Sequence, residues 1–196
     1  MSIQPVENTE IRAVLDFWLI RVGPDKWFSR DDVLDAEIRK RFTALHAQAV
    51  AGALGHWRET PRGCLAEIIL LDQFSRNLYR DDARAFAADS QARDIMDHVL
   101  ARGLDDGVSA DERRFLYMPL QHSENAADQS RSVDLYRTLE DDKTFEYTLR
   151  HQEIIIRFGR FPHRNAVLSR RSTEAEDEFL KTNGEAFGQG PKPTPP

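Results

Sequence analysis

Apolar residues recur at intervals of three and four positions along almost the whole sequence, and this spacing constrains the fold more than any other feature. Near the N-terminus the repeating positions are Ile11, Val14, Leu15, Trp18 and Val22. Spacing of this kind places side chains on one face of an α-helix. No stretch of useful length alternates apolar and polar residues between turn dipeptides, as a half-buried strand does. The sequence therefore predicts an all-α fold.

Signals for helix starts and ends divide the chain into about eight predicted helices. Thr60 before Pro61 is an N-cap followed by proline at the first helical position, and Ser109 with Glu112 forms a capping box. Short loops favour antiparallel neighbours, as in a bundle or a superhelix of helical hairpins. The other helices are predicted to begin near Asn8, Asp31, Asp82, Asn125, Lys143 and Ser172.

Three predictions about individual helices are more specific. The helix after Thr60 is apolar from Cys64 to Leu71 except for Glu67, which predicts a central helix buried on most sides. One continuous helix is predicted over Asp82 to Arg102. Pro119 is expected to kink or end its helix, because proline lacks the backbone donor and clashes with the preceding turn.

Length and composition fit a single helical domain over residues 1–182. The chain has 196 residues, of which 40% are apolar and 31% charged, as in ordinary water-soluble proteins. Segment 183–196 contains four prolines and three glycines, so we expect it to be a disordered tail.

Charge, hydropathy and cysteine content exclude several classes of function. A formal net charge of -6 argues against general nucleic-acid binding, which needs a basic face. No apolar run approaches the ~20 residues that span a bilayer, and the N-terminus lacks a secretory signal, so a cytoplasmic protein is expected. Cys64 is the single cysteine, which excludes a cysteine-clustered metal site. We expect it to be a buried core residue, although its position in a first helical turn also allows a reactive thiolate. No cofactor is predicted, and the sequence leaves the oligomeric state open.

The first polar segment, Asp72 to Arg80, continues the apolar face of the central helix. Asp72 and Arg76 are four positions apart, so their charges point where the apolar residues point. A buried ion must be paired and hydrogen-bonded. We therefore predict that the two pair with each other and with Gln73 or Asn77, either as a structural lock or as part of a site.

The second polar segment, His122 to Glu124, follows the proline break, where no helix fixes the side-chain directions. His122 is a candidate general base that Glu124 or another carboxylate orients. Both residues are also candidate metal ligands. Ser123 is expected to cap the next helix.

The third polar segment, Arg157 to Asn165, mixes basic, polar and aromatic side chains around a glycine and a proline. Arginine forms forked hydrogen bonds with carboxylate and phosphate groups, so the segment is typical of an anion site. His151 lies on an inward helical face upstream and is expected to reach the same place. The candidate residues of the segment are Arg157, Arg160, His163, Arg164 and Asn165.

Leu70 to Asn77, Tyr117 to Glu124 and Arg157 to Asn165, in this order and spacing, resemble the bacterial family catalogued as domain of unknown function 924. The pairs Phe17-Trp18 and Trp27-Phe28 also resemble its N-terminal pattern. The resemblance implies an α-helical fold similar to tetratricopeptide superhelices. It implies no activity.

Three hypotheses for the shared site remain open at this point. In the first, a groove binds a small molecule or peptide that carries a carboxylate or phosphate group. In the second, the chain is a hydrolase or transferase with His122 or His163 as general base beside Glu124, and a metal variant adds His151 as a ligand. In the third, the polar segments form a buried network that specifies how the helices cross. The residues predicted to bind the ligand are Asp72, Arg76, Asn77, Arg80, His151, Arg157, Arg160, Arg164 and Asn165.

Overall fold

The computed structural model describes residues 8–182 and Phe187, and this part of the chain contains eight helices and no strand. The all-α prediction is confirmed. Helical segments Pro61–Ile68 and Ser75–Leu78 are joined into one continuous rod. The α-helical segments are α1 (Thr9–Leu15), α2 (Asp32–Val50), α3 (Pro61–Ile68), α4 (Ser75–Leu78), α5 (Asp89–Ala101), α6 (Ala110–Gln121), α7 (Ala126–Arg137), α8 (Asp142–Phe158) and α9 (Glu174–Thr182).

The predicted helix starts carry the expected capping side chains. The Thr60 side chain accepts a hydrogen bond from the backbone N–H of Gly63, and the Ser109–Glu112 capping box is complete. At the other end of α8, Gly159 adopts a left-handed conformation with φ 69°, which a residue without Cβ adopts at low cost. Asn8, Asp31, Asn125 and Asp141 cap α1, α2, α7 and α8. The expectation that Ser123 caps the helix after it is wrong, because the Asn125 side chain accepts from the first backbone N–H groups of α7 and Ser123 Oγ donates to Asp128 instead.

Two stretches of π-helix interrupt the α-helical geometry. Asp16–Val22 extends α1, and Ile69–Phe74 joins α3 to α4. The joined rod is buried from Gly63 to Leu78, so the prediction of a central buried helix is confirmed. π-Helical turns are rare and are often found at functional sites, and the second stretch contains Asp72 and Gln73.

The other helices pack around the central rod. α3 contacts α1, α5 and α6, while α2 contacts the rod along Ile69–Leu78, and α7 packs between α6 and α8. Aromatic rings fill the centre: Trp18 lies edge-on to Phe74 at 5.5 Å and to Phe115 at 6.1 Å between ring centroids. A smaller apolar cluster lies under the C-terminal part and comprises Ile154, Ile155, Phe161 and Phe179. The likeness to a tetratricopeptide superhelix stays a prediction.

The prediction of one helix over Asp82 to Arg102 is wrong. Asp82 caps a 3-10 turn over Ala83–Phe86, and α5 begins only at Asp89. The break has a physical cause: the Asp89 carboxylate is buried against Arg76, which fixes the start of α5 there. Pro119 lies inside α6, which ends at Gln121.

Three further expectations concern the thiol, the membrane and the tail. Cys64 is fully buried, and burial raises the pKa of its thiol to about 11, so the alternative of a reactive thiolate is wrong. Within residues 8–182, no helix has the length and apolar character needed to cross a bilayer. The predicted tail 183–196 lies outside the described residues except for Phe187.

Candidate functional site

Three arginine and three histidine side chains converge on one small cavity, which we call the inner pocket. The cavity has a volume of about 40 Å³ and is lined by residues of the central rod, the end of α6, α8 and the turn Pro162–Arg164. The sequence-predicted segments therefore do meet. Their side chains in the inner pocket are Arg76, Arg80, His122, His151, His163 and Arg164.

A wider, more open cavity of about 550 Å³, which we call the outer groove, adjoins the inner pocket. Phe86, His122 and Arg164 line both cavities. These three side chains therefore lie at the boundary between the two cavities. The outer groove is further lined by Asp89, Arg93 and Glu124.

His122 is held by the carboxylate of Asp72. The Nδ1 atom of His122 lies 2.8 Å and 3.0 Å from the two carboxylate oxygens. An ionised carboxylate only accepts hydrogen bonds, so Nδ1 carries the proton and Nε2 carries the lone pair. Within the described residues Nε2 has no hydrogen-bond partner, and the side chain is 13% exposed. The Nε2 lone pair is thus available to a ligand or a reacting group.

The two members of this pair are ionised differently. Burial alone would raise the pKa of Asp72, but the positive charge of Arg76 and the hydrogen bond from His122 hold it well below its ordinary value. Burial lowers the pKa of His122, although the Asp72 charge acts in the opposite direction. At neutral pH the pair is therefore a carboxylate and a neutral imidazole.

Arg76 pairs with Asp72, as predicted, and also with a carboxylate that sequence reasoning missed. Its Nη1 lies 3.1 Å from Asp72 Oδ1, and its two terminal nitrogens donate to the Asp89 oxygens at 3.1 Å and 3.2 Å. Asp89 lies in the first turn of α5, where an acidic residue also looks like an ordinary helix start. The sequence position of Asp89 therefore gave no indication that it pairs with Arg76.

Arg164 is the least compensated charge of the inner pocket. It is only 6% exposed, and its Nη1 lies 3.5 Å from Asp89 Oδ2, so it shares this carboxylate with Arg76. Its guanidinium carbon lies 4.6 Å from the ring centroids of both Phe86 and Phe161. The buried Nε has no hydrogen-bond partner within the described residues. Burial lowers the pKa of Arg164 to about 10, and the group stays charged at neutral pH.

A second ion cluster borders the inner pocket at Asp35. The Asp35 carboxylate accepts hydrogen bonds from Asn77 Nδ2 at 2.8 Å and from Arg80 Nη2 at 2.9 Å. This cluster joins α2 to the end of the central rod. Asp35 was missed because it follows the α2 cap, among other acidic residues of a first turn.

His151 and His163 face the same pocket from the C-terminal part. The Nδ1 atom of His151 donates to the carbonyl of Tyr147 at 2.8 Å, which leaves Nε2 unprotonated. Burial lowers the pKa of His151 to about 3 and lowers that of His163 well below its ordinary value. The buried Nδ1 of His163 has no partner within residues 8–182 and Phe187. The ring of Phe187 stacks on His151 at 3.6 Å between centroids.

Glu124 does not orient His122. Its carboxylate accepts hydrogen bonds from Arg170 Nη1 at 2.6 Å and from the Phe161 backbone N–H at 2.8 Å. Burial alone would raise the pKa of Glu124, but these two donors lower it. Asp72 orients His122 in place of Glu124. The Glu124 carboxylate is already bonded to Arg170 and Phe161, which follow α8.

The other predicted members of the third segment face away from the inner pocket. Asn165 is buried between Ser172 Oγ at 3.1 Å and Arg170 Nε at 3.0 Å. Arg160 forms a forked pair with Glu176, at 2.6 Å and 2.7 Å. Arg157 is exposed and lies over the rings of Phe158 and Phe179. The chain turns at Gly159. The side chains of the third polar segment therefore point in different directions and do not form one site.

No three His, Cys, Asp or Glu side chains of the described residues are placed to hold a metal ion together. The metal variant of the enzyme hypothesis, with His122, Glu124, His151 and His163 as ligands, therefore receives no geometric support.

The chain was compared with protein families, curated proteins and solved structures. The family model for a bacterial protein of unknown function (DUF924) matches residues 14–184. A solved structure of a protein of unknown function from Agrobacterium tumefaciens is similar, with 40% sequence identity and a TM-score of 0.83, over 87% of this chain and 96% of that one. No curated protein matches.

Proposed function

This chain belongs to the bacterial family of proteins of unknown function DUF924, and because that membership assigns no activity, we propose from the geometry that the inner pocket binds a small anion. The observation that carries the proposal is Arg164. Its guanidinium is buried, its Nε has no hydrogen-bond partner within the described residues, and it shares its one carboxylate partner, Asp89, with Arg76. A carboxylate or phosphate group is the partner that such a fork binds best.

The hydrogen bonds of the buried carboxylates argue against a cation in the inner pocket. Arg76 and Arg164 share Asp89, while Arg76 also shares Asp72 with His122. Asp89 therefore already contacts two donors and Asp72 three, counting Gln73, and neither is left for an incoming cation. A buried donor without a partner costs about 1–3 kcal/mol, and an anion next to Arg164 removes this cost.

A purely structural network explains only part of the cluster. A network that exists for stability needs every buried polar group to have a partner. The Asp72, Gln73 and Asn77 side chains meet this condition through contacts with one another and with Asp35. Arg164 Nε and His163 Nδ1 do not, and both residues line a cavity. The pocket's size, about 40 Å³, suits the anionic end of a ligand rather than a whole metabolite.

Substitution of Arg164 by glutamine is expected to weaken phosphate binding about tenfold to a hundredfold, because hydrogen bonds to charged groups contribute about 1.5–3 kcal/mol. The measurement is calorimetric titration of inorganic phosphate and acetate, with thermal shifts at millimolar concentration as a second readout.

Arg157→Gln is the matched control for Arg164→Gln. Arg157 also lies over two phenyl rings in the same segment, but it is exposed and does not line the pocket. Its replacement should leave phosphate binding unchanged. The proposal fails when neither anion binds the native chain at millimolar concentration, or when both variants bind phosphate as the native chain does.

The Asp72–His122 pair supports a second candidate function, a hydrolase in which His122 is the general base. A carboxylate that fixes the Nδ1 tautomer leaves Nε2 to take a proton, as in serine hydrolases. In this reaction Nε2 accepts a proton from water while the water oxygen bonds to the substrate carbonyl carbon or phosphorus. The proton then passes to the leaving group as its bond breaks. Arg164, which lines both cavities together with His122, would stabilise the developing negative charge.

Replacing His122 by alanine should lower such hydrolysis at least a hundredfold, since general-base catalysis contributes about 10²–10⁴. The assay is a panel of carboxylic and phosphate esters with an anionic group. Glu124→Gln should lower the rate far less, because Glu124 contacts Arg170 rather than His122. Absence of hydrolysis across the panel, or activity that survives His122→Ala, excludes this function and leaves anion binding in place.

A further inference from the structure

An aromatic ring already occupies one side of the inner pocket. The ring of Phe187 stacks on the imidazole of His151, with 3.6 Å between centroids and 23° between planes. Two further rings contact it nearly at right angles: Phe161 at 6.4 Å and His163 at 5.9 Å. This arrangement of one stacked and two edge-on rings is what a binding site for a flat ring provides.

Phe187 is separated from the helices that build the pocket. It follows the last described helical residue, Thr182, and lies in no helix itself. Its side chain is only partly buried, whereas Phe161 and His151, which its ring contacts, are buried. The walls of this ring position therefore belong to the folded domain, and Phe187 enters it from the C-terminal segment.

The size of the remaining space supports a shared position. An apolar cavity that binds benzene measures about 150 Å³, and the space left in the inner pocket is about 40 Å³. An anionic group fits this space beside Arg164, but a six-membered ring attached to it needs the volume that Phe187 fills. Phe28 also lines the pocket, is 53% exposed and contacts the ring of Trp27 edge-on. The Phe28 ring therefore offers further apolar surface near the arginines.

We propose that the ligand is an anion that carries an aromatic ring, that the ring stacks on His151, and that it displaces Phe187 to do so. The inference rests on the proposed anion site, which fixes the charged end of the ligand at Arg164. The aromatic ring adds a second point of recognition. Phe187 competes for the ring position in the unliganded chain and so lowers the affinity for the ligand.

The test compares phenyl phosphate with inorganic phosphate on the native chain and on Phe187→Ala. Phenyl phosphate should bind Phe187→Ala at least tenfold more tightly than inorganic phosphate does. Removing the competing ring should raise the affinity for phenyl phosphate about threefold to tenfold, the scale of one ring–ring contact. The affinity for inorganic phosphate should stay within about twofold, because the Phe187 ring does not contact the charged end.

Two controls separate ring stacking from general effects. Tyr147→Ala removes a half-exposed aromatic side chain of α8 that does not line the pocket, and it should change neither affinity. Cyclohexyl phosphate has similar size but no flat face, so it should gain less than phenyl phosphate from Phe187→Ala.

The outcomes distinguish this inference from the proposed function. Failure of inorganic phosphate to bind any variant overturns the anion site and the ring position together. If phosphate binds but the phenyl group adds nothing in Phe187→Ala, the ring position is overturned and the anion site stands. Weaker binding of phenyl phosphate to Phe187→Ala than to the native chain also overturns the competition, since Phe187 would then be part of the binding surface.

Discussion

Replacing Asp72 by alanine is expected to lower the free energy of unfolding by about 3–5 kcal/mol, the usual cost of removing one partner from a buried ion pair. Asp72 is fully buried and contacts Arg76, His122 and Gln73. Without it, Arg76 and Arg164 must share the single carboxylate of Asp89. Two guanidinium groups would then face one negative charge in a buried place, which is unfavourable.

The measurement is urea unfolding of the native chain and Asp72→Ala, with linear extrapolation to water. Asp134→Ala is the matched control, because Asp134 also pairs with an arginine on its own helix, Arg137, at 3.1 Å. That pair is exposed on both sides, 63% and 74%, and exposed pairs contribute about 0–1 kcal/mol. A similar small loss for both variants would show that the Asp72 cluster adds little to stability.

Acidification from pH 6.5 to about 4 should lower the free energy of unfolding. Burial lowers the pKa of His151 to about 3 and also lowers the pKa values of His122 and His163. Histidine in an unfolded chain has a pKa of about 6.5. The unfolded state therefore takes up protons first as the pH falls. The contribution of His151 is fully present above pH 6.5 and is lost below it, by up to about 1.4 kcal/mol per pH unit until the pH nears its folded-state pKa of about 3.

His151→Gln tests this assignment. The unfolding free energy of both proteins should fall as the pH decreases. The slope for His151→Gln should be smaller than that for the native chain by about 1.4 kcal/mol per pH unit. His56→Gln is the control, since it removes an exposed histidine that does not line the pocket. Equal slopes for the native chain and both variants would contradict a neutral, buried His151.

The helices were predictable because their signals are local. Thr60-Pro61 and the Ser109–Glu112 box act within one turn, so the sequence around them suffices. The π-helical geometry at Ile69–Phe74 was missed, because an extra residue in a helical turn leaves no pattern in apolar spacing. The break before Asp89 was missed for another reason: its cause is a tertiary contact with Arg76.

The site was predictable only at the level of its segments. Inward-facing charge on the central helix identified Asp72 and Arg76, and the structure brings them to His122 as expected. The carboxylate that pairs with His122 could not be predicted, since Asp72 and Glu124 have the same functional group. Arg157 and Arg164 look alike in the sequence, yet the turn at Gly159 exposes the first and buries the second.

The inner pocket draws its side chains from elements that are far apart along the chain: the central rod, the first turn of α5, the end of α6, α8 and the turn Pro162–Arg164. Any contiguous fragment that holds both Arg76 and Arg164 spans nearly half of the chain. We therefore expect the pocket to form late in folding, after segments distant along the chain have come together. A ligand bound there interacts with the completed fold and not with its precursors, so its binding energy appears mainly as slower unfolding. A ligand that bound in the pocket would therefore lengthen the kinetic lifetime of the folded state.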